Sequence, residues 1–204
     1  MKIRLTFTEA LLGTWPNNPD VARDFIASKA PDAGTIEDEI AATSVSEVIE
    51  KGMTVFPKLE DGTPFLYDYQ IKGFFKDSCG MLARVKTSES SKLKAYKKII
   101  DGLIFVEPRK IPITMSGEIR SCQRPLRAQT AQGERVSLAN SEEIPAGSSV
   151  ELTVVTLDPA HEKALREWLD YGILRGIGQW RNSGKGRFLW EELDADGKTI
   201  GGNR

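Results

Sequence analysis

Fifteen residues near the C-terminal end, Leu174–Phe188, constrain the chain most. They hold Gly176, Gly178, Gly184 and Gly186 among Arg175, Arg181, Lys185 and Arg187. No regular element runs through four such glycines, so the segment is a loop. Before it, Leu165, Trp168 and Leu169 recur at helical spacing; after it, Gly186 to Glu192 reads as a strand. Glycine admits positive φ and lets amide donors approach an anion closely. Two well-known phosphate loops are nevertheless excluded. Gly184-Lys185 is followed by glycine rather than Ser or Thr, and a helix precedes the loop where those motifs have a strand.

Composition narrows the chemistry. The 204 residues are 40% hydrophobic and 28% charged, with a formal net charge of -1, as an ordinary globular chain would be. No apolar run approaches the roughly 20 residues that span a bilayer, and the opening Met-Lys-Ile-Arg-Leu-Thr-Phe-Thr is not an apolar signal core. Cys79 and Cys122 form no metal or redox motif, so a reduced, cytoplasmic protein without metal or cofactor is expected. The single histidine, His161, lies in the first turn of a polar-faced helix and reads as a solvated surface residue. Ser-His-Asp and Cys-His catalysis therefore lack a centre.

The neutral total hides segregation. Residues 1–71 carry a net -6, residues 72–135 a net +8 and residues 136–204 a net -3. A basic middle suits an anionic partner, although Lys92, Lys94, Lys97 and Lys98 also read as a solvated helix face.

Hydrophobic period gives the elements. Ile3, Leu5 and Phe7 alternate as in a half-buried strand, and short helices are predicted over about 20–29 and 36–51. Val55-Phe56 and Phe65-Leu66-Tyr67 flank Glu60-Asp61-Gly62 as in a hairpin. Helix follows from Tyr69 to Val85, its aromatics reading as core, and again over 91–100; Leu103–Val106 and Ile111–Met115 are strands. Residues 123–142 are polar and weakly periodic and read as a long loop. A strand at Val150–Val155 leads to a helix capped by Asp158-Pro159, and the tail Gly197–Arg204 is expected to fray.

Taken in order, these features resemble the RAMP superfamily of CRISPR effector complexes. The glycine loop is similar to that family's C-terminal signature. Tyr69-Gln70-Ile71-Lys72-Gly73-Phe74-Phe75-Lys76 looks like its Lys-Gly helix start, with Lys76 where arginine is usual. Residues 124–143 and the following Ile144-Pro145-Ala146-Gly147-Ser148 are similar to a thumb-like insertion and its strand entry. The usual serines before Lys-Gly are absent, being Asp68, Tyr69 and Gln70 here, and residues 31–51 look like an added acidic helix. Compact, neutral members encoded alone in phage genomes look similar too.

The resemblance implies an α+β, ferredoxin-like (RRM-like) antiparallel sheet with helices on one face. It would be a single domain over 1–204, with a thumb-like insertion at 123–143 and an acidic helical segment at 31–51. It also implies non-catalytic binding of RNA or a nucleotide-type ligand through basic loops. Lys72 and Lys76 are candidates for phosphate contact at a helix start. Arg124, Arg127, Gln129 and Arg135 are candidates for a clamp, since arginine pairs with phosphate and stacks on bases. Gly178, Arg181, Gly184, Lys185, Gly186 and Arg187 are the loop candidates, with Trp180 read as packing beneath the loop.

Two alternatives remain open. One is an anti-defence protein that sequesters a nucleotide immune signal or mimics a CRISPR subunit, as a homo-oligomer stacked edge to edge. The other is a metal-independent endoribonuclease, for which Asp61 or Asp68 would have to serve; neither stands out from a turn aspartate.

Overall fold

The computed structural model describes residues 1–17, 52–130 and 133–203, with side chains for all of these outside 126–137. The helices expected over 20–29 and 36–51, and hence the added acidic segment 31–51, lie outside the described residues.

The main sheet grows from the alternation read in the sequence. Strand β1 (Lys2–Phe7) buries Ile3, Leu5 and Phe7 on one face. It pairs antiparallel with β10 (Ser149–Thr156) on one side and β11 (Phe188–Leu193) on the other. Strand β10 continues antiparallel to β6 (Ile104–Glu107) and β7 (Lys110–Thr114), and β7 to β5 (Phe65–Tyr67). Helix α1 (Asp68–Leu82) leads from β5 towards β6, and α3 (Glu162–Asp170) connects β10 to the loop before β11. The resulting order, β11-β1-β10-β6/β7, with helices after the first and third core strands, is the ferredoxin-like arrangement.

Both helices cover the same face. Helix α1 buries Ile71, Phe74, Phe75 and Cys79; α3 buries Ala164, Leu165, Trp168 and Leu169. Phe75 meets Trp168 with ring centroids 5.7 Å apart, and Phe74 meets Phe188 edge-on at 5.1 Å. The indole N–H of Trp168 donates to Ser90 Oγ, whose own hydroxyl donates to Glu167, so the core edge carries no orphaned donor there. The opposite face, uncovered among the described residues, carries Lys2, Arg4, Glu151 and Glu191. Arg4 reaches Glu151 at 2.7 Å and Glu191 at 3.5 Å, which balances the charge of that surface.

Several elements differ from expectation. Residues 123–130 and 133–142 are strand rather than loop: β8 (Arg120–Thr130) and β9 (Gly133–Ile144) pair as one long antiparallel hairpin. Its base joins a second small sheet with β2 (Leu11–Leu12), β3 (Trp15–Pro16) and β4 (Thr54–Val55). The hairpin forms next to its turn and opens only farther out: Thr63 N–H donates to Asp61, Leu59 N–H to the Thr63 carbonyl and Phe65 N–H to the Pro57 carbonyl, with Lys58 bridged antiparallel to Pro64. Beyond it, β4 goes to β3 and β9 while β5 goes to β7, and Glu142 accepts the Phe56 N–H at 2.8 Å. The predicted helix at 91–100 is displaced to α2 (Tyr96–Leu103), started by Ala95 at φ 54°. The tail is paired rather than frayed: β12 (Thr199–Gly202) adds to β11, and Asn203 accepts the Trp190 N–H. His161 is not a solvated residue either. Its side chain is 12% exposed, and Nδ1 is buried without a partner among the described residues.

Candidate functional site

The glycine loop is held by its own close approaches. Ile177 N–H donates to Gly186 carbonyl, and Gly186 N–H donates to Ala10 carbonyl, lacing the loop to itself and to the β1–β2 connection. A Cβ on Gly186 would run into Ile177 carbonyl oxygen, and one on Gly176 into the backbone of Lys185 and Gly186. These glycines are required by backbone against backbone, a demand the sequence reading assigned to a ligand. Gly178, at φ 83°, lies on the wall of a concavity, and a Cβ there would come within 3.1 Å of the Leu12 carbonyl oxygen.

That wall belongs to a cleft of about 360 Å³ between the start of α1, the β2–β3 connection and the glycine loop. Trp15, Tyr69, Gln70, Phe74, Asp77 and Arg181 line it with Gly178. Gln70 fixes the geometry: its Oε1 accepts the Tyr67 N–H at the helix start, and its Nε2 donates to Thr14 Oγ1, both at 2.8 Å. Tyr69 stacks on Tyr67, centroids 5.1 Å apart and planes within 17°, and Tyr67 meets Trp15 at 5.8 Å. The row ends at Tyr69, 49% exposed. Partial burial, with Tyr67 and Asp68 adding to it, raises the Tyr69 phenol above its usual range, so it stays a neutral donor.

Asp77 organises the basic side of the cleft. Its Oδ2 accepts from Arg175 Nε and Arg181 Nη1, each at 2.8 Å. Hydrogen bonding to Asp77 raises Arg175 further above its usual pKa, despite some burial. Arg181 keeps 31% of its side chain exposed. It also lines a second cavity of about 390 Å³, with Arg175, Gly178, Gln179, Trp180 and Asn182.

Trp180 does not pack beneath the loop. It is 40% exposed, sits in the left-handed region at φ 54°, and lies 5.3 Å from the guanidinium of Arg124. Such a backbone conformation costs a non-glycine residue about 1–2 kcal/mol. Arg124, by contrast, is 5% exposed. Its Nη1 donates to Ser141 Oγ at 3.0 Å and its Nη2 to Gln179 Oε1 at 2.6 Å. Arg124 therefore joins the hairpin base to the loop and backs Trp180.

The other sequence candidates scatter. Lys72 and Lys76 are not at the helix start, which is Asp68; Lys72 donates to the Asp101 carbonyl and Lys76 pairs with the Asp101 carboxylate. At ~100° per residue, Lys72 and Lys76 lie about 130° and about 90° from the middle of the cleft-lining face of α1. Lys185 is paired with Glu143 at 2.7 Å. Arg187 lies against Gly184, with its Nε buried and without a partner among the described residues. Arg127, Gln129 and Arg135 are placed by register only, opposite Val136, Glu134 and Ala128. The sequence reading missed Trp15, Tyr69 and Asp77 as site residues. Only the exposed aromatics beside the Lys-Gly pair could have pointed to them.

The two candidate aspartates are each engaged locally. Asp61 accepts its own turn's Thr63 N–H, which holds its carboxyl below the usual range, and Asp68 accepts the Tyr69 N–H. Among the described residues no three His, Cys, Asp or Glu side chains are grouped to hold a metal ion. No helix among them is long and apolar enough to cross a membrane.

The fold is thus that of an α+β ferredoxin-like protein carrying a long hairpin and an aromatic, arginine-bearing cleft. No protein family profile and no curated protein matches the chain. Among solved structures it is similar to a chain of the Type III-B Cmr-beta complex bound to cognate target RNA, with a TM-score of 0.48 and 12% identity. That similarity covers 94% of this chain and 58% of the length of the other.

Proposed function

We propose that this protein binds RNA or a nucleotide-type ligand, without catalysis, in the cleft between α1 and the glycine loop. One observation carries the reading: the exposed Tyr69 ring, the half-buried Trp15 ring and a partly exposed arginine line the same concavity. Rings offer stacking faces to bases, and a guanidinium offers donors to phosphate. In this reading the β8–β9 hairpin is the thumb-like insertion, and Arg124 ties its base to the loop that carries Arg181. The uncovered face of the main sheet is the weaker platform, because Arg4 and Lys2 are matched there by Glu151 and Glu191.

The test is fluorescence anisotropy with labelled single-stranded RNA, on the full chain and on Arg181→Gln. Binding by the wild type and a loss of about tenfold or more in the variant is expected, as for a hydrogen-bonded charge pair. Equal affinity of the two proteins would remove the cleft from the account. Sequestration of a short nucleotide is favoured as a second reading by the size of the cavities, each near the small end of the roughly 300–1,000 Å³ of ligand pockets.

A further inference from the structure

We infer that the two adjoining cavities form a single site for a dinucleotide unit, with the linking phosphodiester at Arg181; this rests on the nucleotide-binding reading above. The cavities, about 360 and 390 Å³, share Gly178 and Arg181 in their walls. Each has its own exposed ring, Tyr69 in the first and Trp180 in the second. Both rings are backed on one side: Tyr69 by Tyr67, Trp180 by the Arg124 guanidinium. A ring supported on one face and open on the other is suited to take one base.

Charge at the junction fits a diester better than a terminal phosphate. Asp77 engages both Arg175 and Arg181 through one carboxylate oxygen, which leaves the trio with a single net positive charge. A phosphodiester carries one negative charge, whereas a phosphate monoester carries about 1.5 to 2 at pH 7. Arg181 uses Nη1 for Asp77, and its other donors are uncommitted among the described residues. Asp77 thereby presents Arg181 to both cavities at once. The strained φ of 54° at Trp180 is in keeping, since it holds that ring out at the second cavity.

Isothermal titration of the full chain with AMP, pApA and pApApA tests this. The expected result is that pApA binds about tenfold or more tighter than AMP, as a second stacked base would contribute, and that the third nucleotide adds less than about threefold. Tyr69→Ala and Trp180→Ala should each bring pApA close to AMP, while Tyr69→Phe and Trp180→Phe, which keep a stacking face, should not. Equal affinity for AMP and pApA overturns the two-base site. So does affinity that climbs equally with every added nucleotide, which describes a strand track. In both cases binding itself would persist and the broader reading would stand. Failure of all three ligands, with labelled single-stranded RNA also unbound, overturns both together.

Discussion

Replacing Arg124 by methionine separates a stability role from a site role. The guanidinium is 5% exposed, yet its partners are neutral: Ser141 Oγ, Gln179 Oε1 and the Trp180 ring. Two hydrogen bonds to a charged group contribute roughly 1.5–3 kcal/mol each, and a cation over an indole about 0.5–2 kcal/mol. Against these stands the cost of taking an ion out of water, several kcal/mol, with no carboxylate partner among the described residues to offset it. The balance is near zero. Met keeps most of the side-chain volume, so no large cavity opens. Ser141 stays satisfied through Thr54 Oγ1 at 2.7 Å, and half-buried Gln179 can turn to water. Arg124→Met should therefore change unfolding free energy by no more than about 1.5 kcal/mol. In urea titrations the midpoint should barely move and the slope should be unchanged. RNA affinity should fall by roughly threefold to tenfold, because the Trp180 ring loses its backing. A loss above about 3 kcal/mol with unaltered affinity would refute this reasoning and make Arg124 a structural strut.

Further predictions follow from single contacts. Gly186→Ala should lose about 3 kcal/mol or more, since its Cβ meets Ile177 carbonyl oxygen at a φ of 70°; a thermal melt equal to wild type would contradict the backbone account of the loop. The hydrogen bond from Arg4 holds Glu151 below the usual carboxylate range, so this pair stabilises the fold above the unfolded carboxylate pKa and its contribution is lost as pH falls through the lower folded value. Because both side chains are partly exposed, Arg4→Ala should cost less than about 1 kcal/mol at pH 7, and the difference in unfolding free energy from wild type should shrink on acidification; a difference that grows instead would reverse the sign argued here. Labelled RNA incubated with the protein should stay intact with and without EDTA, and cleavage that survives the chelator would restore the endoribonuclease reading.

What the sequence made legible was whatever a packed face imprints on it. Strand β1, helix α1 and helix α3 each bury one face against the same core, and Ile3-Leu5-Phe7 and Leu165-Trp168-Leu169 show that period directly. The hairpin β8–β9 left no such imprint. Gln123, Arg124 and Pro125 lie in a strand held mainly by pairing with its partner, where backbone bonds rather than an apolar stripe fix the element. The cleft was hidden for a different reason. Asp77 lies 98 residues from Arg175 and 104 from Arg181, so no local spacing announces the contact. The glycines were correctly read as a loop, but Gly176 and Gly186 answer to each other across it, a constraint visible only once the loop is closed.

The most direct test is photocrosslinking of the full chain to a 4-thiouridine-labelled oligoribonucleotide, with the adducts located by peptide mass spectrometry. The account predicts adducts on the peptides that carry Tyr69 and Trp180, lost when excess unlabelled RNA competes. Adducts confined to the uncovered sheet face around Phe105, or to the lysines between Lys92 and Lys98, would contradict it.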